Sequence, residues 1–472
     1  MLVTRSSMTH PTLLMVQVWA GCALLYGVLP FHLVDKAMTL EGALVMFLFL
    51  ASFCLGALMI DPVPERRARP GVRRHIDFSR TDVLLVAAGA ISIVAFLLDL
   101  RDKTVLDLAV AYELRSDQAG ALLEGEASTS GLAFQIGFLT YPAAYVYTAR
   151  LIVFSPRIPI LRTVAFGVLP VLLATMAMGG RSPLLYVIVI SILAVGSRGL
   201  YLSAIGQRQG RTRKANAEVY KILGTAGVVV AAMAYFVAVF FVRAELFGGG
   251  AGMFKVAEEV WGIGFRGPLA DAMFDALGQE WTYIVFVFNW YVVQGLLMAN
   301  FVFSDYQGPM QWGVYGIDLV SALVRRFDGP LIAGYFDALQ RIGIYGFFPS
   351  AWGSLYVDLW WFGLAASAMW GAFAAKVFSS VKRARDSRWL LVAPFVTMGI
   401  LFSFINTPIG FANGLVTHLW LLVAFVAARQ CAHIKASRAP ALAATTSALF
   451  QIEAPRLNVD GTLHPKRSPR MS

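Results

Sequence analysis

Residues 40–60 read LEGALVMFLFLASFCLGALMI, and residues 61–74 follow as DPVPERRARPGVRR. The first stretch carries a single charge, Glu41, next to its start. As a helix it is ~30 Å long, which matches the hydrocarbon thickness of a bilayer. Directly after it come Arg66, Arg67, Arg69, Arg73 and Arg74. An apolar block closed by a basic burst reads as a membrane-crossing helix whose far end lies in the cytoplasm.

The same arrangement repeats outward along the chain. Apolar runs long enough to cross occur at about 12–31, 40–60, 82–100, 131–149, 163–179, 183–198, 222–242, 351–375, 389–405 and 413–429. They lack the alternation of barrel strands, and a lipid-embedded backbone must satisfy its own hydrogen bonds, so all are expected to be helices. Composition agrees: of 472 residues 58% are apolar and 14% charged, against roughly 45–50% and about 25% in soluble domains. A soluble enzyme is excluded. The net charge of +11 does not point to nucleic acid, because the basic residues arrive in bursts between apolar blocks, as topology signals do. Cys22, Cys54 and Cys431 form no close pair and no metal-binding spacing, so neither a disulfide framework nor a zinc site is expected. Trp19-Ala20-Gly21-Cys22 has the outline of a lipoprotein cleavage site, but Trp suits that position poorly. The first run is expected to be an uncleaved anchor.

Basic connectors at Arg150, Arg157 and Arg162, at Arg198, Arg208, Arg211, Arg213, Lys214 and Lys221, and at Lys376, Lys382, Arg383, Arg385 and Arg388 put those sides in the cytoplasm. Both termini are then cytoplasmic, in a multi-pass membrane protein. Residues 101–130, with Asp102, Asp107, Glu113, Asp117, Glu124 and Glu126, face outward. The expected fold is an all-α polytopic membrane protein of about 10–12 transmembrane helices. Residues 1–434 form its membrane domain and 435–472 an Ala-, Ser-, Pro- and Arg-rich cytoplasmic tail without fixed structure. Between 243 and 350 lies a large external region that must cross the membrane an even number of times. Either 283–303 and 311–324 are a pair of crossings, or they are re-entrant and interfacial pieces. The connector Ser304–Gln311 holds Asp305 and no Lys or Arg, which favours the second arrangement.

Chemistry is sought among charges on the outer side. Arg115, Arg181, Arg243, Arg266 and Arg341 lie there. With no nucleotide supply on that side, an enzyme would draw on a lipid-linked donor, and arginine's planar, permanently charged fork suits a diphosphate. Arg181 is the sharpest case. It sits in Met178-Gly179-Gly180-Arg181-Ser182-Pro183, a tight turn between two apolar helices. A snorkelling interface arginine, or one bound to helix carbonyls, has the same sequence signature. Arg243, in Phe240-Phe241-Val242-Arg243-Ala244-Glu245, fits an anchor at the membrane edge equally well, and Arg115 and Arg266 also fit as ordinary loop charges. Asp358 stands about two turns inside the 351–375 run, and an intramembrane carboxylate is a functional candidate by default. A hydrogen-bonded packing residue remains the alternative. His418 reads as a buried packing histidine. Glu258, Glu259, Asp271 and Glu280 are external carboxylates that could act as bases.

Together, Gly180-Arg181-Ser182-Pro183 at an external turn, Arg243 at the outer end of the next span, the segment with Tyr283, and Leu355-Tyr356-Val357-Asp358 with Gly363 and Gly371 resemble the O-antigen and oligosaccharide repeat-unit polymerases, the Wzy-type family. That family's late motif is approximately Leu-Tyr-x-Asp-Phe-Gly. Here Leu359-Trp360 stands in place of Phe-Gly. The resemblance implies a GT-C-like multi-span glycosyltransferase that polymerises undecaprenyl-diphosphate-linked repeat units, at the periplasmic face and with inversion, into O-antigen, capsule or exopolysaccharide. It implies no metal and no cofactor. It further implies Arg181 and Arg243 at the diphosphates, Arg115, Arg266, Tyr283 and Arg341 around the substrates, and Asp358 or an external glutamate as base. The partners implied are lipid-linked glycans, membrane lipid, a chain-length regulator and a flippase. An O-antigen ligase shares the topology and the arginines. A transporter or flippase of lipid-linked glycans would be expected to carry more intramembrane acids.

Overall fold

The computed structural model of the chain describes residues 10–34, 37–60, 76–101, 131–204, 234–344, 346–383 and 386–430. One compact unit takes in residues 1–430. The expected tail, 435–472, lies outside the described residues. Helix dominates: α1 (Pro11–Val28), α2 (Leu40–Ile60), α3 (Ser79–Leu100), α4 (Leu132–Thr140), α5 (Ala143–Phe154), α6 (Ile160–Ala177), α7 (Ser182–Ala204), α8 (Ala234–Leu246) and α9 (Gly249–Glu259) form the first part. There follow α10 (Pro268–Asp305), α11 (Asp318–Phe327), α12 (Gly329–Arg341), α13 (Ser350–Leu359), α14 (Phe362–Arg383), α15 (Trp389–Leu401) and α16 (Gly414–Ala427). Four strands of two or three residues pair as two minimal sheets, β1 (Phe31–Leu33) with β3 (Ile263–Phe265) and β2 (Ile76–Asp77) with β4 (Arg429–Gln430).

Among the described residues seven helices are long and apolar enough to cross a membrane, or eight if the bent pair α8–α9 counts as one. The chain is a mostly helical, multi-pass membrane protein. Ten to twelve uninterrupted spans are not present among these residues, and the shortfall has local causes. The run 131–149 is broken at Tyr141-Pro142, because proline cannot donate the next helical bond. Runs 389–405 and 413–429 form helices of only 13 and 14 residues, joined by turns at 402–413. Of 222–242 only 234–242 is described, inside α8. The run 351–375 is two helices, divided at Trp360, where φ is 51° and ψ −134°.

Small residues bring helices together. α2 and α14 run side by side in the same direction through Gly56, Gly363 and Gly371, the close-approach packing that apolar surroundings favour. Ser52 donates to the Leu364 carbonyl at 2.7 Å and Ser367 to that of Phe49 at 2.9 Å. Beside this seam, Trp352 of α13 stacks on Trp19 of α1 and meets Phe49, Phe53 and Trp370. The Trp19 indole donates to Ser403 at 3.0 Å.

Arginines close one end of the bundle. Arg150 pairs with Asp82 at 2.6 Å, Arg198 donates to the carbonyls of Ile152, Ser155 and Pro156 at the end of α5, and Arg388 reaches those of Phe425 and Ala428 at the end of α16. Cations at helix C-termini meet both orphan carbonyls and the negative end of the dipole. Arg181 and Arg198 bracket α7, ~25 Å apart along the helix. Arg181 therefore belongs to the opposite end.

That opposite end is organised by the connector between α1 and α2. β3 pairs with it in the register Phe31↔Phe265, His32↔Gly264 and Leu33↔Ile263, and Arg266 donates its backbone N–H to Pro30. Farther along, Asn300 exchanges two 3.0 Å bonds with the Thr39 backbone. The 38-residue α10, kinked at Gly278 where φ is 73°, is thus fastened near both ends to the same connector. Residues 311–324 are no second crossing: they are turns at 312–316 leading into the amphipathic α11. The run 283–303 lies within α10, which is itself long and apolar enough to cross.

Candidate functional site

Arg181 ends the turn between α6 and α7. Gly179, with φ 56°, lets the chain reverse, and the Arg181 carbonyl accepts the Leu185 N–H at 3.1 Å, so this residue caps α7. Its charge is at the positive end of the helix dipole, where a cation gains nothing from the helix. Beneath the turn, the Tyr145 hydroxyl donates to the Pro183 carbonyl at 3.3 Å, and its ring packs on Tyr186. The half-buried guanidinium lies 4.2 Å from the centre of the Phe240 ring on α8, a cation–π contact that holds its plane. Phe240 in turn meets Phe288 and Tyr291 of α10.

Arg243 is three residues after Phe240 on α8, hence on the same helix face. It too is half-buried. Two arginines singled out separately in the sequence therefore belong to one corner of the fold. Past Arg243 the chain bends by 77° into α9. Glu280 holds that bend by accepting the Gly250 N–H at 2.8 Å.

Other expected residues have different surroundings. Arg266 is paired with Glu258, and Arg341 with Asp337 one turn before it on α12; both arginines are mainly exposed. Exposed pairs of this kind contribute at most about 1 kcal/mol. Replacing Arg266 or Arg341 with Ala should leave the melting profile of the detergent-solubilised protein nearly unchanged. Glu259 pairs with Lys255, and Asp271 occupies the first turn of α10, a favourable place for an acid. Tyr283 is 2% exposed and packs on Phe254 and Phe286, so it is a core residue rather than an open contact for a ligand. Arg115 lies outside the described residues.

Asp358 is not inside a crossing helix. It ends the short α13, ahead of the span that begins at Phe362. Oδ1 accepts the Tyr315 N–H at 3.0 Å and Oδ2 the Gly316 N–H at 2.8 Å, while its backbone carbonyl accepts the Trp312 N–H at 2.9 Å. The carboxylate fastens the loop 311–317. Burial pushes its carboxyl up to about 6, and the backbone N–H groups of Tyr315, Gly316 and Gly313 pull in the opposite direction. A raised carboxyl contributes stability that is complete below about pH 4 and is lost as pH rises through 6. Melting temperatures of the wild type should carry this fall between pH 4 and 6.5, and Asp358→Asn should flatten it. Equal slopes in the two proteins would refute that account.

Trp360 follows two residues later. Its φ of 51° and ψ of −134° are where the chain turns from α13 into α14, a backbone that glycine takes readily and an L-residue takes at a cost of about 1–3 kcal/mol. Stacking of Trp360 on Tyr356, with ring centres 5.7 Å apart, opposes the strain.

Sequence reasoning did not connect Arg181 with Phe240, or find Tyr145 under the turn. No local signal joins positions so far apart in the chain. Among the described residues no three His, Cys, Asp or Glu side chains cluster in a way that could hold a metal ion. No protein-family model, curated protein or solved structure matches the chain.

Proposed function

We propose that this protein polymerises undecaprenyl-diphosphate-linked oligosaccharide units into a surface polysaccharide, working at the periplasmic face of a bacterial inner membrane with both termini in the cytoplasm. The observation that carries the proposal is the shared corner of Arg181 and Arg243, at the end of the bundle away from the arginine clamps. A hydroxyl of the incoming lipid-linked unit attacks the anomeric carbon of the growing chain, its proton passes to an external glutamate acting as general base, and undecaprenyl diphosphate leaves. Charge builds on the departing diphosphate oxygen. Fixed guanidinium groups in a half-buried site stabilise it better than mobile water does. Asp358 acts in this scheme as a positioning residue that shapes the 311–317 loop, since both its oxygens are engaged.

Purified protein in vesicles, supplied with an undecaprenyl-diphosphate-linked oligosaccharide, should produce a ladder of longer lipid-linked glycans. In cells, deletion should leave single-unit products. Finished long chains left on undecaprenyl diphosphate after deletion would instead indicate a ligase, and translocation without chain growth a flippase.

A further inference from the structure

A groove of about 250 Å³ opens between α13, α14, α15 and α16. Its walls are almost wholly apolar, with Trp370, Phe373, Val396, Pro408 and Ile409 among them. Phe373 and Ile409 are substantially exposed, as are Met369, Leu419 and Leu422 close by in sequence. In a membrane protein such a surface meets lipid chains. The groove also holds His418, whose ring is oriented by a 2.7 Å bond between Nδ1 and the Gly414 carbonyl. A carbonyl only accepts, so Nδ1 carries the hydrogen and Nε2 of the neutral ring is left as an acceptor. Among the described residues Nε2 has no hydrogen-bond partner. Two residues that carry donor groups line the same groove, Trp370 and Thr407, and the Thr407 hydroxyl oxygen accepts the Gly410 N–H at 3.2 Å.

Depth narrows what can occupy this place. His418 is nine residues before the end of α16, ~13 Å along the helix from the clamped end of the bundle. That is near the middle of a hydrocarbon core about 30 Å thick, below the reach of a phospholipid headgroup. A polar side chain at such depth marks a functional site by default. A dry apolar cavity of about 150 Å³ already takes a benzene-sized guest, so this groove can hold a chain segment together with one small polar group. The group must donate to Nε2 and is best served if it also accepts from Trp370 or Thr407. A hydroxyl does both.

We propose that the groove is a binding site for a membrane-dissolved alcohol or phenol, its hydrocarbon lying along Phe373, Val396 and Ile409 and its hydroxyl donating to Nε2 of His418. The groove's lining includes neither Arg181 nor Phe240, and the proposal does not depend on the function assigned to them.

The test is photolabelling of the full-length protein in lipid nanodiscs with a long-chain diazirine alcohol, beside the matched methyl ether, which has the same chain but no donor. The alcohol should label peptides containing 366–373 and 407–418 about fivefold more strongly than the ether, the preference expected from one hydrogen bond. His418→Leu should remove the preference while leaving ether labelling. Ala366→Phe, which fills the groove, should remove both, with an unchanged gel-filtration profile for each variant. Competition by unlabelled polyprenol, diacylglycerol or quinol then identifies the class of alcohol. Equal labelling by alcohol and ether in the wild type would reduce the site to ordinary lipid contact and overturn the proposal. So would labelling that survives Ala366→Phe, or protection of the groove by a second copy of the chain.

Discussion

Arg181→Ala is expected to abolish polymer in cells while the protein remains in the membrane at normal level, and to lower turnover in vesicles by about 10²–10³-fold. The size follows from what is lost. A guanidinium capped on a rigid turn and held 4.2 Å from the Phe240 ring centre needs no reorganisation when the diphosphate charge develops. Arg181→Lys keeps the charge but loses the planar fork and its stacking, so a substantial part of the defect should remain. Phe240→Leu tests the same idea from the other partner: the guanidinium stays but loses its platform, and turnover should fall less than in Arg181→Ala. Normal chain lengths from Arg181→Ala, measured on gels of lipid-linked glycan, would remove the diphosphate role and with it the main support for the proposed function.

The second large effect is structural. A Cβ on Gly56 would sit 1.9 Å from the Ala368 carbonyl oxygen, and one on Gly371 2.0 Å from that of Phe53. Both obstacles are backbone, which cannot swing aside as a side chain can. Overpacking a core typically costs about 1–3 kcal/mol even where side chains adjust, and separating α2 from α14 also endangers the Ser52 and Ser367 bonds. Gly56→Val or Gly371→Val should therefore give little monodisperse protein after extraction. On α1, Gly21 and Gly27 have nothing within 4 Å, so Val there should be tolerated. Fluorescence-detected gel filtration of the four variants checks the contrast, and wild-type behaviour of Gly56→Val would contradict the packing described.

Much of the fold was legible because lipid simplifies it: an apolar run must be helical, and a burst of arginines marks its side. Where the runs break was less legible. Pro142 is a visible interruption, but nothing between Asp358 and Gly363 announces the turn at Trp360. The tertiary contacts of α13 override an unbroken apolar pattern there. α10 was hidden for a different reason. Asp271, Asp275 and Glu280 interrupt its apolar character, so its first turns looked like loop, although they continue into the buried stretch after a glycine kink. The site divided in the same way. Arg181 was prominent because Gly179-Gly180 and Pro183 frame it, whereas its nearness to the face of Arg243 depends on Phe240, a residue indistinguishable by sequence from any other membrane phenylalanine. Asp358 was recognised as unusual but misplaced, because the loop whose N–H groups it binds lies more than forty positions upstream.

The α2–α14 seam also dictates an order of assembly. Ser52 and Leu364 are 312 positions apart, and at about 5–20 residues per second the ribosome needs roughly 15–60 s to produce the second after the first. Throughout that interval α2 is in the bilayer with its glycine groove unfilled, a surface on which any other small-residue helix could dock. The early helices must therefore wait, or be chaperoned, until nearly four-fifths of the chain has been made.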